Sequence, residues 1–374
     1  MIRLAHLIAR FEADLLTRFG NRLTADQRRA LNAMQRCRSA ASPMMQWRCT
    51  DCAQHTLVPH SCGHRLCPHC QHHESEQWLQ RQMQRLVPAD HFLLTFTLPA
   101  ELRALAQAHA NVVLDRIMHC AWATVNQFAH NDRQLQGTPG AISVLHTHSR
   151  RLDYHPHVHL VVPAAALDVD KKRWRRKRRG KHGTYLFNAK ALAEVFRAKL
   201  LAALSAAGLT LPRACPPQWV VHCKAVGGGA KALIYLGRYL YRGVIRECDI
   251  LACDNGQVSF RYREAASGRW QHRTLAGADF LWLLLQHVLP RGFRRARNHG
   301  FLHANGKRLI ALLHLLLKFD PRRFTPPPKE RPALSCPCCG APMVIVRTRI
   351  RADISTRINA SPPIASPPIA EVAH

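Results

Sequence analysis

The period of the hydrophobic positions changes along the chain, and those changes mark out its elements. Leu4, Ile8, Phe11, Leu15 and Leu16 recur at helical spacing before Gly20-Asn21, which predicts amphipathic helices over residues 1–45. Residues 74–86 predict a more polar helix. His91-Phe-Leu-Leu-Thr-Phe-Thr-Leu98, closed by Pro99, has the length and composition of a buried strand. The helical period returns over residues 101–131 through Leu102, Leu105, Val112, Ile117 and Phe128, and Gly137-Thr-Pro-Gly140 ends it. Residues 141–148 and 154–163 then predict two strands joined by a turn. Beyond them lie a helix over 188–207, a short strand over 218–225, a glycine break at 227–229 that reads as a hinge, and a helix over 230–242. A surface hairpin (258–262 with 269–275) and two apolar helices (279–289, 309–318) follow. The order strand, helix, strand, turn, strand predicts an α+β fold whose antiparallel sheet is covered by helices.

The strand over 154–163 carries the first candidate chemistry. His157 and His159 stand two apart, so a strand turns both to one face. Two neutral imidazoles there converge on one cation, and such a cation can act as a Lewis acid on a phosphoryl oxygen. His146-Thr-His148 has the same spacing but runs into Ser-Arg-Arg at a strand end, so it ranks second, with His146 supporting the first pair. On the helix over 230–242, Tyr235 and Tyr239 are four apart and share a face. Arg238 and Arg242 occupy another strip, placed to hold phosphates.

Fourteen cysteines add a second kind of site. Cys49 and Cys52 form one CxxC and Cys67 and Cys70 another, with fourteen residues between the pairs. That pattern supplies four thiolates to one structural Zn²⁺ and leaves it no open coordination position. Cys37, Cys62, His60 and His64 lie nearby as substitute ligands or a second site. After Pro326-Pro-Pro328, Cys336-Pro-Cys-Cys339-Gly340 has no second pair following it, and reads as a remnant or a shared site. Ser361-Pro-Pro-Ile-Ala, repeated at once from Ser366, predicts a disordered end.

Charge supplies the partner. The 54 Lys and Arg against 23 Asp and Glu leave a formal +31, which calls for a polyanion, with nucleic acid the obvious one. An anionic membrane surface competes, but no apolar run reaches the roughly 18 residues needed to span a bilayer. The amphipathic start is not a secretory signal, so the chain is expected in the cytoplasm, where thiols and zinc ligands outnumber disulfides. Residues 171–181 hold nine Lys or Arg in eleven positions. Arg175, Arg176, Lys177, Arg178 and Arg179 read as a phosphate-tracking loop, with Trp174 available to stack on a base.

In order, the motifs are the knuckle ending Ser61-Cys-Gly-His-Arg-Leu-Cys-Pro-His-Cys-Gln71, the Val144-Leu-His-Thr147 strand and His155-Pro-His-Val-His-Leu-Val-Val-Pro163. Tyr235-Leu-Gly-Arg-Tyr239, Leu289-Pro-Arg-Gly-Phe293 and Gly300-Phe-Leu302 complete them. From about Cys37 to Leu312 the chain resembles the HUH-type rolling-circle transposases of bacterial insertion sequences, the insertion sequence 91 family. The resemblance implies an antiparallel-sheet HUH endonuclease core over 89–318. A helical and four-cysteine zinc domain would precede it over 1–88, and a Pro-rich, low-complexity tail would follow over 319–374. It implies that His157 and His159 hold Mg²⁺ or Mn²⁺ on the scissile phosphate of single-stranded DNA, and that Tyr235 and Tyr239 are the nucleophiles. Attack leaves a 5′-phosphotyrosine and a free 3′-OH, and the retained phosphodiester energy permits resealing without ATP. Whether one or both tyrosines act stays open, as does the third metal ligand, for which Asp153, Glu194, Gln218 and water are candidates. A plasmid replication initiator or relaxase would share this chemistry, though the four-cysteine knuckle favours a transposase. A non-catalytic zinc-dependent DNA-binding protein would instead ignore Mg²⁺ and survive Tyr→Phe.

Overall fold

The computed structural model describes residues 2–350 except 71, 169–172, 179–184, 242, 265–266 and 328–333, with the backbone alone at His72 and Tyr241. Arg179, Arg242 and the Ser361 repeat lie outside the described residues.

The chain opens with helices α1 (Leu4–Phe19) and α2 (Ala25–Gln35), strands β1 (Met44–Cys49) and β2 (His55–Pro59), and helix α3 (His72–Met83). Next come β3 (His91–Thr97), α4 (Arg103–Ala108), α5 (Ala110–Asn131), β4 (Thr138–His148), β5 (Tyr154–Pro163), β6 (Ala165–Asp168) and β7 (Arg173–Arg176). Then α6 (Ala189–Ala206), β8 (Val221–Ala225), α7 (Ala230–Tyr241), β9 (Ile250–Asp254), β10 (Gln257–Arg263) and β11 (Trp270–Ala276) follow. Helix α8 (Gly277–Leu285), β12 (Ala296–Gly300), α9 (Lys307–Leu316) and β13 (Met343–Ile350) complete the series.

Two compact units result. The first comprises Met1–Asn32 with Gly63–Pro328, the second Ala33–Cys62 with Lys329–His374. In the first, the central sheet runs β7-β6-β4-β5-β3-β8, with β12 also paired to β4, and each of these pairings is antiparallel. Alternation along the strands divides its side chains between two cores. Leu94 and Phe96 of β3 and Val158 and Leu160 of β5 pack with α5 and α6 residues such as Ile117, Val125 and Phe196. Ile142 and Val144 of β4 and Val161 of β5 face the other way, onto Leu233, Leu236 and Leu240 of α7. The expected α+β architecture, an antiparallel sheet covered by helices, is therefore the one observed.

Local chemistry sets the ends of several elements. Asn188 caps α6, its Oδ1 accepting from the backbone N–H of Ala191 at 3.0 Å. Gly300 has φ +55°, and a Cβ there would fall 1.7 Å from the Pro139 carbonyl oxygen, so only glycine lets β12 reach β4 at this point. The glycine break before α7 is a tied turn rather than a hinge: His91 N–H donates to the Gly227 carbonyl at 2.6 Å, and Val226 N–H to His91 O at 2.8 Å. Part of the basic run is a strand. Residues 173–176 form β7, where Trp174 packs edge-on to Phe301 at 5.4 Å inside the α7-side core. A base-stacking role for Trp174 is thus replaced by a packing one. Residues 296–300 form β12.

The second unit is a three-stranded sheet, β13-β1-β2, both pairings antiparallel. Among the described residues its buried apolar cluster is small: Cys49, Cys336 and Met343, with Trp47, Cys52, Leu334 and Ala341 packed against them.

Candidate functional site

Register and period build the site. β5 turns His157 and His159 to the α7 face, and β4, paired with it, sets His146 directly opposite His157. The three rings form a triangle with centroids 4.5, 4.9 and 5.1 Å apart, and one nitrogen from each lies within 4.8 Å of the others. The third member of the group is therefore His146. Asp153 instead accepts from Arg273 at 2.7 Å, while Glu194 and Gln218 are exposed elsewhere.

Hydrogen bonds aim the rings. His159 Nδ1 lies 2.8 Å from Thr95 Oγ1, Thr95 being its register partner on β3, and His157 Nδ1 lies 2.7 Å from the His155 carbonyl. With both Nδ1 atoms occupied, the Nε2 atoms of these two rings are the nitrogens left for a ligand. His146 Nε2 is buried without any hydrogen-bond partner. A buried, unpartnered imidazole nitrogen on a ring grouped with two others fits a bound cation, which would satisfy all three rings.

Burial holds the three rings neutral, as ligation requires. It takes His157 down to about 4 and His159, with His157 beside it, to about 3, and moves His146 in the same direction. Burial also takes His91 and His287 to about 4. These histidines bind protons more readily in the unfolded chain, whose imidazoles titrate near 6.5. Their contribution is therefore intact above that pH and lost as pH falls toward about 4. Thermal midpoints measured with chelator present should fall between pH 7 and pH 5; a constant midpoint would contradict the burial of these rings.

Helix α7 brings the phenols over this face. Its apolar strip, Leu233, Leu236 and Leu240, enters the core, and Gly237 lets Trp78 of α3 approach to 3.3 Å of where a Cβ would stand. Tyr235 and Tyr239 take the remaining face, rings 5.3 Å apart. Tyr239 stacks on His146 at 4.4 Å, Tyr235 sits 6.3 Å from His159, and Tyr235 is 42% exposed. Burial, together with the neighbouring Tyr239, pushes the Tyr235 phenol up to about 12, against the lowering influence of Arg150. Tyr239 is raised as well, again by burial and again opposed by Arg150. Neither phenol ionises unaided at neutral pH.

A cationic groove of about 1090 Å³ opens along α3, Leu240 of α7 and β12, lined among others by Arg65, Arg81, Arg291, Arg294, Arg295 and Arg297. Arg295 donates to the Tyr239 carbonyl at 2.6 Å, which links groove and helix. The basic composition of residues 292–303 signals it in the sequence, though the contribution of Arg65 and Arg81 does not show there. The cations of residues 175–178 are divided. Arg175 is paired with Asp168 at 3.2 Å and Lys177 with Asp132 at 2.6 Å, whereas Arg176, Arg178 and, on α7, Arg238 are exposed.

The four cysteines expected at one zinc do not form one group. Cys49 and Cys52 gather with Cys336 and Cys339 in the second unit, while Cys67 and Cys70 belong to the first. The reason is strand pairing: β13 joins β1, and the CxxC that arrives beside Cys49 is the one preceding β13.

Fold and site together define an α+β protein with three convergent imidazoles and two phenols on one sheet face, and a cationic groove linked to α7 through Arg295. The family model described as "Putative transposase" matches residues 140–308, which include all five of these side chains, and "Transposase zinc-binding domain" matches residues 7–98. The chain is 30% identical over 320 residues to "Putative transposase y4qJ" of Sinorhizobium fredii, covering 78% of this chain and 79% of that one. It is 31% identical over 281 residues to "Transposase for insertion sequence element IS801" of Pseudomonas savastanoi pv. phaseolicola, covering 66% and 65%. A solved conjugative relaxase TrwC in complex with oriT DNA, in metal-bound form, aligns at 19% identity over 35% of this chain and 49% of that one. Its TM-score of 0.28 is too small to define a fold. The chain belongs to the IS91 family of insertion-sequence transposases. Among the described residues no helix is long and apolar enough to cross a membrane.

Proposed function

We propose that this transposase cleaves and rejoins single-stranded DNA at the ends of its insertion sequence through a 5′-phosphotyrosine intermediate, as HUH-type rolling-circle enzymes do. The convergence of His146, His157 and His159 beneath Tyr235 and Tyr239 carries the reading.

The cationic groove binds the DNA backbone and delivers one phosphodiester to the face between the imidazoles and the phenols. A divalent cation held by the three imidazoles would supply positive charge to the non-bridging phosphate oxygens, and an all-nitrogen donor set suits Mn²⁺ better than Mg²⁺. A tyrosine oxygen attacks phosphorus, forming the O–P bond as the P–O3′ bond breaks. The phenol gives up its proton, and the departing 3′ oxygen takes one to become a free hydroxyl. Burial raises both phenols, so the proton must be lost in concert with attack, with Arg150 countering the cost of the phenolate. Tyr235, the more exposed, is presented to incoming DNA; Tyr239 is held against His146. Reversal by another 3′-OH reseals the strand without an external energy source.

Single- and double-stranded oligonucleotides from the element's ends test this directly. Cleavage confined to single strands, leaving a 3′-OH that a polymerase extends, is the expected product. Cleavage of intact duplex, or a 3′-phosphate product, would contradict the reading.

The groove makes its own prediction. Arg291 and Arg294 are exposed on its wall, and replacing both with alanine should weaken DNA binding without regard to sequence. The slope of log affinity against log salt should shrink by about 0.7 per lost phosphate contact. An unchanged slope would remove the groove from the DNA path.

A further inference from the structure

The second unit presents a metal site assembled from the two ends of the sequence. Cys49 ends β1 and Cys52 lies in the turn that leads to β2, while Cys336 and Cys339 flank the turn before β13. Cys52 and Cys336 are 284 positions apart, yet β13 pairs with β1 so that Met343 stands opposite Cys49. The Cys49 Sγ lies 3.4 Å from that of Cys339, and the Cys52 Sγ lies 3.7 Å from those of both Cys336 and Cys339. A tetrahedral zinc with Zn–S bonds of about 2.3 Å sets its sulfurs about 3.8 Å apart. The observed separations are close to that edge.

The local backbone forms two knuckles. The N–H groups of Asp51 and Cys52 both reach the Cys49 Sγ at 3.4 Å. In the other knuckle, Gly340 follows Cys339 at φ +77° and donates its N–H to the Cys336 carbonyl at 2.9 Å. Among the described residues, the strand pairings are backed by only a small apolar core. Its buried cluster centres on Cys49, Cys336 and Met343, and on β13 Val344, Ile345 and Val346 are all exposed. A small unit with so thin a core needs a staple.

We propose that Cys49, Cys52, Cys336 and Cys339 form a closed, tetrahedral structural Zn²⁺ site that fastens β13 to the β1–β2 hairpin. Two of its ligands, Cys336 and Cys339, lie outside the segment matched as zinc-binding, residues 7–98. All four thiols release their protons on binding, and the filled shell leaves no position for substrate.

The test uses the full chain, purified under reducing conditions, with zinc per chain measured by elemental mass spectrometry. Cys336→Ser/Cys339→Ser should carry one zinc fewer than wild type, and the neighbouring Cys338→Ser the full number. Amide exchange in β13 should accelerate in the double variant alone. Should the double variant fold poorly, Co²⁺-loaded wild type should show the intense thiolate-to-metal bands of a four-sulfur site, reduced in Cys339→Ser. Equal zinc in the double variant and wild type would overturn the proposal, as would Cys49–Cys339 and Cys52–Cys336 disulfides in the natively folded protein.

Discussion

Phenylalanine at both Tyr235 and Tyr239 is expected to abolish strand cleavage while leaving DNA affinity within about threefold of wild type. The substitution removes two oxygen atoms and keeps the rings, so the stacking of Tyr239 on His146 and the packing of α7 survive. Losing a nucleophile costs on the order of 10⁴-fold or more in rate, because positioning and charge stabilisation cannot replace the missing bond. The single variants separate the two phenols. The exposed Tyr235 is expected to carry the first cleavage, so Tyr235→Phe should block it, while Tyr239→Phe should mainly impair joining to a second strand. Cleavage at an undiminished rate in the double variant would mean that activated water is the nucleophile.

The second large effect is at His146. Alanine there deletes one of three convergent nitrogens and opens a gap beneath the Tyr239 ring. Metal-dependent cleavage should fall on the order of 10³-fold, and the Mn²⁺ concentration giving half-maximal rate should rise. His146→Gln, which restores bulk and a donor or acceptor atom, should recover stability more than rate. An ordinary packing role predicts the opposite: lower stability in the alanine variant, with the Mn²⁺ dependence of the remaining activity unchanged. His148, whose ring lies 5.4 Å from that of Tyr239, is the comparison; alanine there should leave the Mn²⁺ dependence intact.

What could be read from the sequence follows from the range of the physics involved. The pairing of His157 with His159 and of Tyr235 with Tyr239 is local, because strand and helix periods alone put each pair on one face. The hydrophobic runs of β3, β5 and α5 announce themselves in the same way. The place of His146 depends on the register between β4 and β5, a pairing that residue spacing within either strand does not specify. The cysteine grouping is more distant still. Cys336 and Cys339 look like a lone knuckle until β13 is laid against β1, and the even spacing of Cys67 and Cys70 points to the nearer but wrong partner. Charge conceals structure as well. Arg173–Arg176 reads as part of a phosphate-tracking basic loop, yet it pairs with β6 as a strand, with Arg175 neutralised by Asp168 and Arg173 and Arg176 exposed from an ordered backbone.

The most direct test of the tyrosine mechanism is a denaturing gel of full-length protein incubated with labelled single-stranded oligonucleotides from the element's ends, with Mn²⁺ and with chelator. The account predicts a labelled protein–DNA adduct that survives denaturation, requires the metal, and disappears in the Tyr235→Phe/Tyr239→Phe and His146→Ala variants. DNA that is retarded on native gels but never covalently linked, with or without metal, would contradict it and leave a DNA-binding protein in its place.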